Sequence, residues 1–261
     1  MHRFARGLSD AALTLGMVMV LFAVYLLWWT NHTARAQAQD EVHRLERQWA
    51  RPAPTAPGPA GEPYEAGPGD EGQPRRAGDR AGDLPSPGAS ADVTGQRAPA
   101  RSRSFAILRI PRLNLTVPVA EGVDKHRVLD RGFVGHYPGA ALPGQVGNVA
   151  LAAHRNTHGE PFRYLDRVRP GDTVTLTTAD GDFRYRVDSV LPRTSPDDSD
   201  TIQPVPSTAY GGTNNAGGTK KAGGTKKAGY DRPGRYITLT TCTPEYTSRY
   251  RLIVWGHLLE N

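Results

Sequence analysis

Cysteine is all but missing from this sequence: Cys242 stands alone among 261 residues. An intramolecular disulfide is therefore excluded, and any folded domain must hold itself together by core burial. Paired Cys/His ligand spacing is missing too, so no metal or cofactor is expected. Asp197, Asp198 and Asp200 read as a solvated loop and not as a calcium site. The formal charge of +6 comes without an RNA- or DNA-binding motif. Much of it lies near the amino terminus, in a linker and in a lysine repeat, which suits attraction to anionic lipid or wall polymer and excludes a nucleic-acid partner. Large apolar side chains are almost absent from Arg51 to Arg103, where Pro, Gly, Ala, Ser and charged residues dominate. Such a segment cannot offset its ordering entropy and is expected to be disordered, a tether with a reach of about 40 Å as a coil.

What is present begins with Ala11–Trp29, an uncharged run about long enough to cross a bilayer. Arg3 and Arg6 precede it, and Trp28 and Trp29 form an interfacial anchor at its far end. We expect residues 1–10 in the cytoplasm, 11–30 as a single transmembrane anchor and the remainder outside the cell membrane. A cleaved signal peptide is the rival reading, but the run is long for one and no cleavage site follows directly. Residues 31–103 form a charged stub, helical over Ala36–Trp49, and the linker, which would leash the folded domain above the membrane. Residues 104–261 form that domain.

From Ser104 the pattern changes to short apolar or alternating runs separated by Gly, Pro and Asp-Gly, which predict a compact all-β barrel. The runs are Phe105–Ile110, Leu115–Ala120, Asn148–Ala153, Asp172–Thr178, Asp182–Leu191, Tyr236–Cys242 and Arg251–Leu259. Asp180-Gly181 signals a type I′ hairpin. Short helices are expected around Lys125–Asp130 and Pro161–Val168. Residues 211–229 carry AGGTKK twice in succession, a low-complexity loop too rich in Gly and Lys for a strand.

A thiol at a strand end is either a small buried filler or a nucleophile, and the second role needs an acid and an oxyanion stabiliser. His154 and Arg251 can supply them. The short connection Thr243–Ser248 predicts that the strand ending at Cys242 pairs antiparallel with the strand beginning near Arg251. Alternation puts Cys242 on one face with Thr240 and Thr238, and Ile237 and Leu239 on the core face. By the same parity His154 shares a face with Ala152 and Ala150, so a groove lined by small side chains is expected. Parity does not separate Arg249 from Arg251. His158 is the alternative base, whereas His126, His136 and His257 have no comparable context.

These segments resemble the sortase family of membrane-anchored cysteine transpeptidases, most closely its class E branch. The resemblance covers 105–259 and rests on Ile107–Gly122 (ILRIPRLNLTVPVAEG), Leu142–Arg155 (LPGQVGNVALAAHR), Thr157–Asp172, Thr238–Tyr246 (TLTTCTPEY) and Arg251–Val254. It implies an eight-stranded sortase-type β-barrel with His154, Cys242 and Arg251 as the catalytic set. Thr240, Thr241 and Arg249 become candidate substrate contacts. It further implies cleavage of an LAxTG- or LPxTG-like sorting signal between Thr and Gly through an acyl-enzyme. The implied partners are secreted proteins bearing that signal and a lipid II-type peptidoglycan-precursor amine as acceptor. Ala153 stands where the family commonly has glycine, and the lysine repeat expands a loop near the peptide groove. Two other readings stay open: another cysteine peptidase or L,D-transpeptidase acting on peptidoglycan, and a non-catalytic wall-binding β-domain.

Overall fold

A computed structural model of the chain describes residues 2–50, 99–208 and 228–260. Most of the expected linker (51–98) and the body of the AGGTKK repeat (211–227) lie outside the described residues. One helix and ten strands follow in chain order: α1 (His2–Trp49), β1 (Ser104–Ile110), β2 (Leu115–Glu121), β3 (Val134–His136), β4 (Gly147–Ala152), β5 (Thr173–Thr178), β6 (Gly181–Thr194), β7 (Ser207–Thr208), β8 (Ala228–Gly229), β9 (Arg235–Thr243) and β10 (Tyr250–Leu258). Eight of them close into a barrel in the order β1-β2-β3-β4-β9-β10-β6-β5. All neighbours are antiparallel except β2 with β3 and β4 with β9.

Period-two alternation fills this barrel. Ala106, Leu108 and Ile110 of β1, Ile237 and Leu239 of β9, and Leu252 and Val254 of β10 point inward and pack with Val149, Leu151, Phe162, Leu176 and Tyr185. Ile253 and Trp255 of β10 point the other way and pack with Leu191 and Tyr230 in a second cluster. The β5–β6 hairpin forms as expected, but with Ala179 and Asp180 as its loop. Thr178 pairs with Gly181, and the glycine alone takes a positive φ, of 127°. The turn is therefore not type I′, which needs φ above zero at both loop residues. The two expected helices shrink to single 3₁₀ turns, Leu129–Arg131 and Leu165–Arg167. Gly132, left-handed at φ 75°, ends the first. The second ends three residues before Pro170, whose ring disfavours helical backbone at Arg169.

The helix differs most from expectation. The apolar run and the charged stub form one uninterrupted α1, long and apolar enough to cross a bilayer. Its described apolar side chains from Leu13 to Leu26, with Trp28 and Trp29, are exposed on the protein, as a lipid-facing surface requires. Its later turns are not free: Ala34, Ala38, Val42 and Leu45 are buried. Spaced by four, four and three residues, they form one stripe of a helix. Ala38 packs with Ala120, Val128 and Phe133, and Val42 and Leu45 pack with Ile107 on the outer face of β1. The outward parity of Ile107 thus has its explanation in α1. Glu46 adds an ion pair of 2.8 Å to Arg109. The folded body therefore extends back to residue 34, and α1 reaches the barrel directly, with no leash needed to connect the two.

Candidate active site

The site is assembled by register. The parallel ladder of β4 and β9 runs from Gly147 opposite Arg235 to Ala152 opposite Thr240. It extends past the strand end, where the Ala153 N–H donates to the Thr240 carbonyl at 3.3 Å. Two residues beyond the last pair on each strand stand His154 and Cys242. On the other side of β9 the antiparallel ladder pairs Cys242 directly with Arg251. Cys242 and Arg251 thus face each other across the hairpin, and His154 stands two residues past the end of β4, the strand on the other side of β9. Hairpin pairing also separates the two arginines. Arg251 is inside β10, opposite the thiol, whereas Arg249 precedes the strand, exposed, with its guanidinium 6.0 Å from the Tyr250 ring. Arg251 donates to the carbonyls of Ser248 and Tyr250, both at 3.1 Å, which holds its guanidinium at the hairpin mouth. Cys242 is half-buried.

His154 does not stand alone. Its Nε2 lies 2.8 Å from Oδ1 of Asp130, on the 3₁₀ turn after β2. Burial pushes the Asp130 carboxyl up, but the hydrogen bond from His154 and the charges of His158, His154 and Lys125 outweigh it and hold the group below its ordinary value. An ionised carboxylate can only accept, so Nε2 carries the proton and Nδ1 is left as the nitrogen available for proton transfer. The Asp130 carboxylate also lies 3.5 Å from His158 Nδ1 and 3.1 Å from His126 Nδ1. The rings of His154 and His158 are 5.4 Å apart. Burial is the main cause that lowers the His158 pKa; Asp130 opposes it, and the proximity of His154, Lys125 and His126 reinforces it. The ligand atoms of Asp130, His154 and His158 lie within 4.8 Å of one another, near enough to share a divalent cation, a grouping that joins the turn after β2 to the loop after β4.

Two further side chains surround the thiol. Arg155 is buried, donates to the Thr243 hydroxyl at 3.0 Å and the Cys242 carbonyl at 3.4 Å, and pairs with Asp166. Tyr137, just after β3, is within electrostatic reach of both Arg251 and Cys242; burial raises its pKa, Arg251 lowers it and Cys242 raises it. Sequence reasoning missed Asp130, Arg155 and Tyr137. Only Arg155, adjacent to His154, carried a signal by position.

The expected open face is closed. Thr238, Thr240 and Ala150 are buried. Thr238 donates to Asn148 and to the Thr201 carbonyl, so the segment around Thr201 covers these small side chains. Thr241 is buried as well and donates to the Ala153 carbonyl at 2.8 Å, which braces β9 against the chain leading to His154. The acids of the 197–200 loop are not all solvated: Asp198 is buried and accepts from Thr194 at 2.5 Å and Thr208 at 2.6 Å. His136 is structural, buried between Glu121 and the Ala141 carbonyl, and His257 pairs with Asp188. A cavity of about 240 Å³ lies on the seam of α1 and the barrel, lined by Arg35, Gln39, Thr116, Glu160, Arg163 and Tyr164 among others, away from the thiol.

The closed eight-stranded barrel agrees with what comparison with known proteins finds. The family model for the Sortase domain matches residues 108–259, and the chain belongs to the sortase family. It is 39% identical over 98% of its length to Sortase SrtE1 of Streptomyces coelicolor, and 32% identical over 97% to Sortase SrtE2 of the same organism. The chain spans 57% of SrtE1 and 81% of SrtE2. The crystal structure of Sortase E1 from Streptomyces coelicolor with a tripeptide in the active site matches 62% of this chain and 92% of its own, at 47% identity and a TM-score of 0.52.

Proposed function

We propose that this protein is a membrane-anchored transpeptidase that cleaves an LAxTG- or LPxTG-like carboxy-terminal sorting signal between Thr and Gly and joins the released carboxyl to a peptidoglycan-precursor amine. The pairing of Cys242 on β9 with Arg251 on β10, with His154 just past the end of neighbouring β4, carries the reading. Residues 11–30 anchor the chain, 1–10 lie in the cytoplasm, and residues 104–261, with the packed part of α1, form an extracytoplasmic catalytic body. The tripeptide in the active site of Sortase E1 is consistent with a peptide ligand.

The Cys242 thiolate attacks the threonine carbonyl carbon. Its oxygen becomes an oxyanion, which the Arg251 guanidinium stabilises with charge and directed N–H groups. The C–N bond then breaks, and Nδ1 of cationic His154 gives its proton to the departing glycine amine, leaving a thioester on Cys242. The acceptor amine attacks that thioester, His154 takes back a proton, and an amide and the free thiolate result. Asp130 holds the His154 ring through Nε2, Arg155 fixes the backbone at Cys242, Thr240 and Thr241 brace the two strands, and Arg249 contacts the peptide from just before β10.

A thiol-specific probe tests the reading against a non-catalytic wall-binding domain. Modification of Cys242 is expected to slow markedly in His154→Ala. Equal rates in the two proteins would remove the functional link between imidazole and thiol.

A further inference from the structure

The loop after β4 is held from outside the barrel, by α1. Asn31 donates from Nδ2 to Glu160 Oε1 at 3.0 Å and accepts from the Gly159 N–H at 3.2 Å. Arg35 donates from Nε to the Gly159 carbonyl at 3.1 Å and from Nη2 to Glu160 Oε2 at 3.3 Å. The Glu160 side chain is only 4% exposed and also takes Arg163 at 2.6 Å. It therefore sits buried among two guanidiniums and an amide, fully compensated only while the helix is docked. His158, Gly159 and Glu160 all have positive φ (52°, 83° and 54°), a conformation that the surroundings must impose on the two non-glycine residues. A Cβ at Gly132, two residues after Asp130, would come within 2.8 Å of the Ala34 carbonyl, so the helix backbone rests on that turn too. Both loops that touch His154, through Asp130 and through His158, are in contact with α1.

The order of contacts along the helix gives a direction. From Asn31 to Glu46, α1 meets first the 158–160 loop, then Val128 and Phe133, then Ile107 and Arg109. The end of the barrel carrying His154 is thus the end nearest the exposed apolar run. Trp29 precedes Asn31 and Arg35 by about 3 Å and about 9 Å of helix rise.

From this we infer that α1 is a strut which orients the barrel with its His154–Cys242 end toward the lipid headgroups, and that Asn31 and Arg35, through Glu160, are the positioning residues that set this orientation. The inference rests on the membrane-anchored reading above. It makes the catalytic mouth face a lipid surface, so an acceptor amine carried on lipid is presented to the thioester at the height of the headgroups. The gain is one of effective concentration and not of intrinsic chemistry.

Full-length protein in phosphatidylcholine nanodiscs tests the orientation. In a Cys242→Ala background, a single cysteine is introduced as Thr157→Cys, beside the clamp, or as Ala179→Cys, on the β5–β6 turn at the opposite end of the barrel. Each is labelled with a fluorophore and read against lipid spin-labelled at the headgroup. Quenching is expected to be clearly stronger at 157 than at 179, and Asn31→Ala/Arg35→Ala should erase the difference. Equal quenching at the two positions with the clamp intact overturns the orientation. Failure of the chain to co-elute with nanodiscs removes the anchored reading instead, and the inference with it. With Cys242 present, the clamp variant should lose about tenfold in transfer to an amine displayed on vesicle lipid, with transfer to a soluble amine unchanged. An equal loss on both would assign the clamp to chemistry at His154 and overturn its orienting role.

Discussion

Arg251 and Arg249 share a parity and stand two residues apart, yet the structure gives them different neighbours. Arg251 is paired with Cys242 across the hairpin, and Arg249 is outside the strand. Loss of an oxyanion donor costs on the order of two decades in rate, so Arg251→Ala should lower kcat/KM for a sorting peptide by about a hundredfold or more and Arg249→Ala by clearly less. Steady-state cleavage of both variants checks the ranking, and a reversal would exchange their roles. His158 supplies a pH dependence. Its folded pKa lies below the ordinary 6.5, so above pH 6.5 both folded and unfolded chains hold it neutral and it contributes no slope. As pH falls through 6.5 the unfolded chain takes up the proton first, and the folded state loses stability. The Tm of the wild-type protein should therefore drop more steeply between pH 7 and pH 5 than that of His158→Gln; parallel curves would show that the imidazole is not held neutral. Asp130 acts in the same sense at lower pH, with its stabilisation present above its ordinary 3.8 and lost as pH falls below it. The antiparallel pairing of the Cys242 and Arg251 strands was readable from the sequence, because hairpin length is local, whereas the choice of Arg251 over Arg249 came from the family resemblance alone. Asp130 was not readable, since it meets His154 from 24 residues upstream across a turn of no distinctive pattern.

Among the elements, the short β7–β8 ladder decides what the lysine repeat can do to the fold. Ser207 pairs with Gly229 and Thr208 with Ala228, and the Tyr230 N–H donates to the Pro206 carbonyl at 2.8 Å. The two ends of the insert are thus stapled side by side. Replacing residues 209–227 with a two-residue turn should leave the melting transition in place, because closing a shorter loop costs no more entropy than closing a longer one. Loss of a cooperative transition would show that the insert is part of the core. The barrel strands were visible as alternating runs, and the central ones kept their boundaries to within a residue or two. β3 was missed because three residues, Val134–His136, are too few to show a period. The packed stub was missed for another reason. Its buried stripe begins with two alanines, Ala34 and Ala38, set among Arg, Gln, Asp and Glu, so the apolar signal is weak where the helix backbone comes closest to the barrel.

At the scale of the whole molecule, two continuous elements relate membrane and chemistry. β9 carries the thiol between its two partners, and α1 runs from an apolar exposed segment into the body that holds the imidazole. The docking of the charged stub on the barrel was not legible, because composition alone cannot show that such a segment packs. The fold class itself followed from the strand rhythm and from the family motifs, and the closed barrel agrees with both. The central claim is acyl transfer through Cys242. Incubating the full-length protein with LAxTG and LPxTG peptides and a diaminopimelate-type amine, with mass detection of intact protein and products, tests it most directly. The account predicts a thioester adduct on Cys242, absent in Cys242→Ala, and a product in which the threonine carboxyl is amide-linked to the added amine. Peptide cleavage that persists in Cys242→Ala, or that proceeds without any adduct on Cys242, would contradict it.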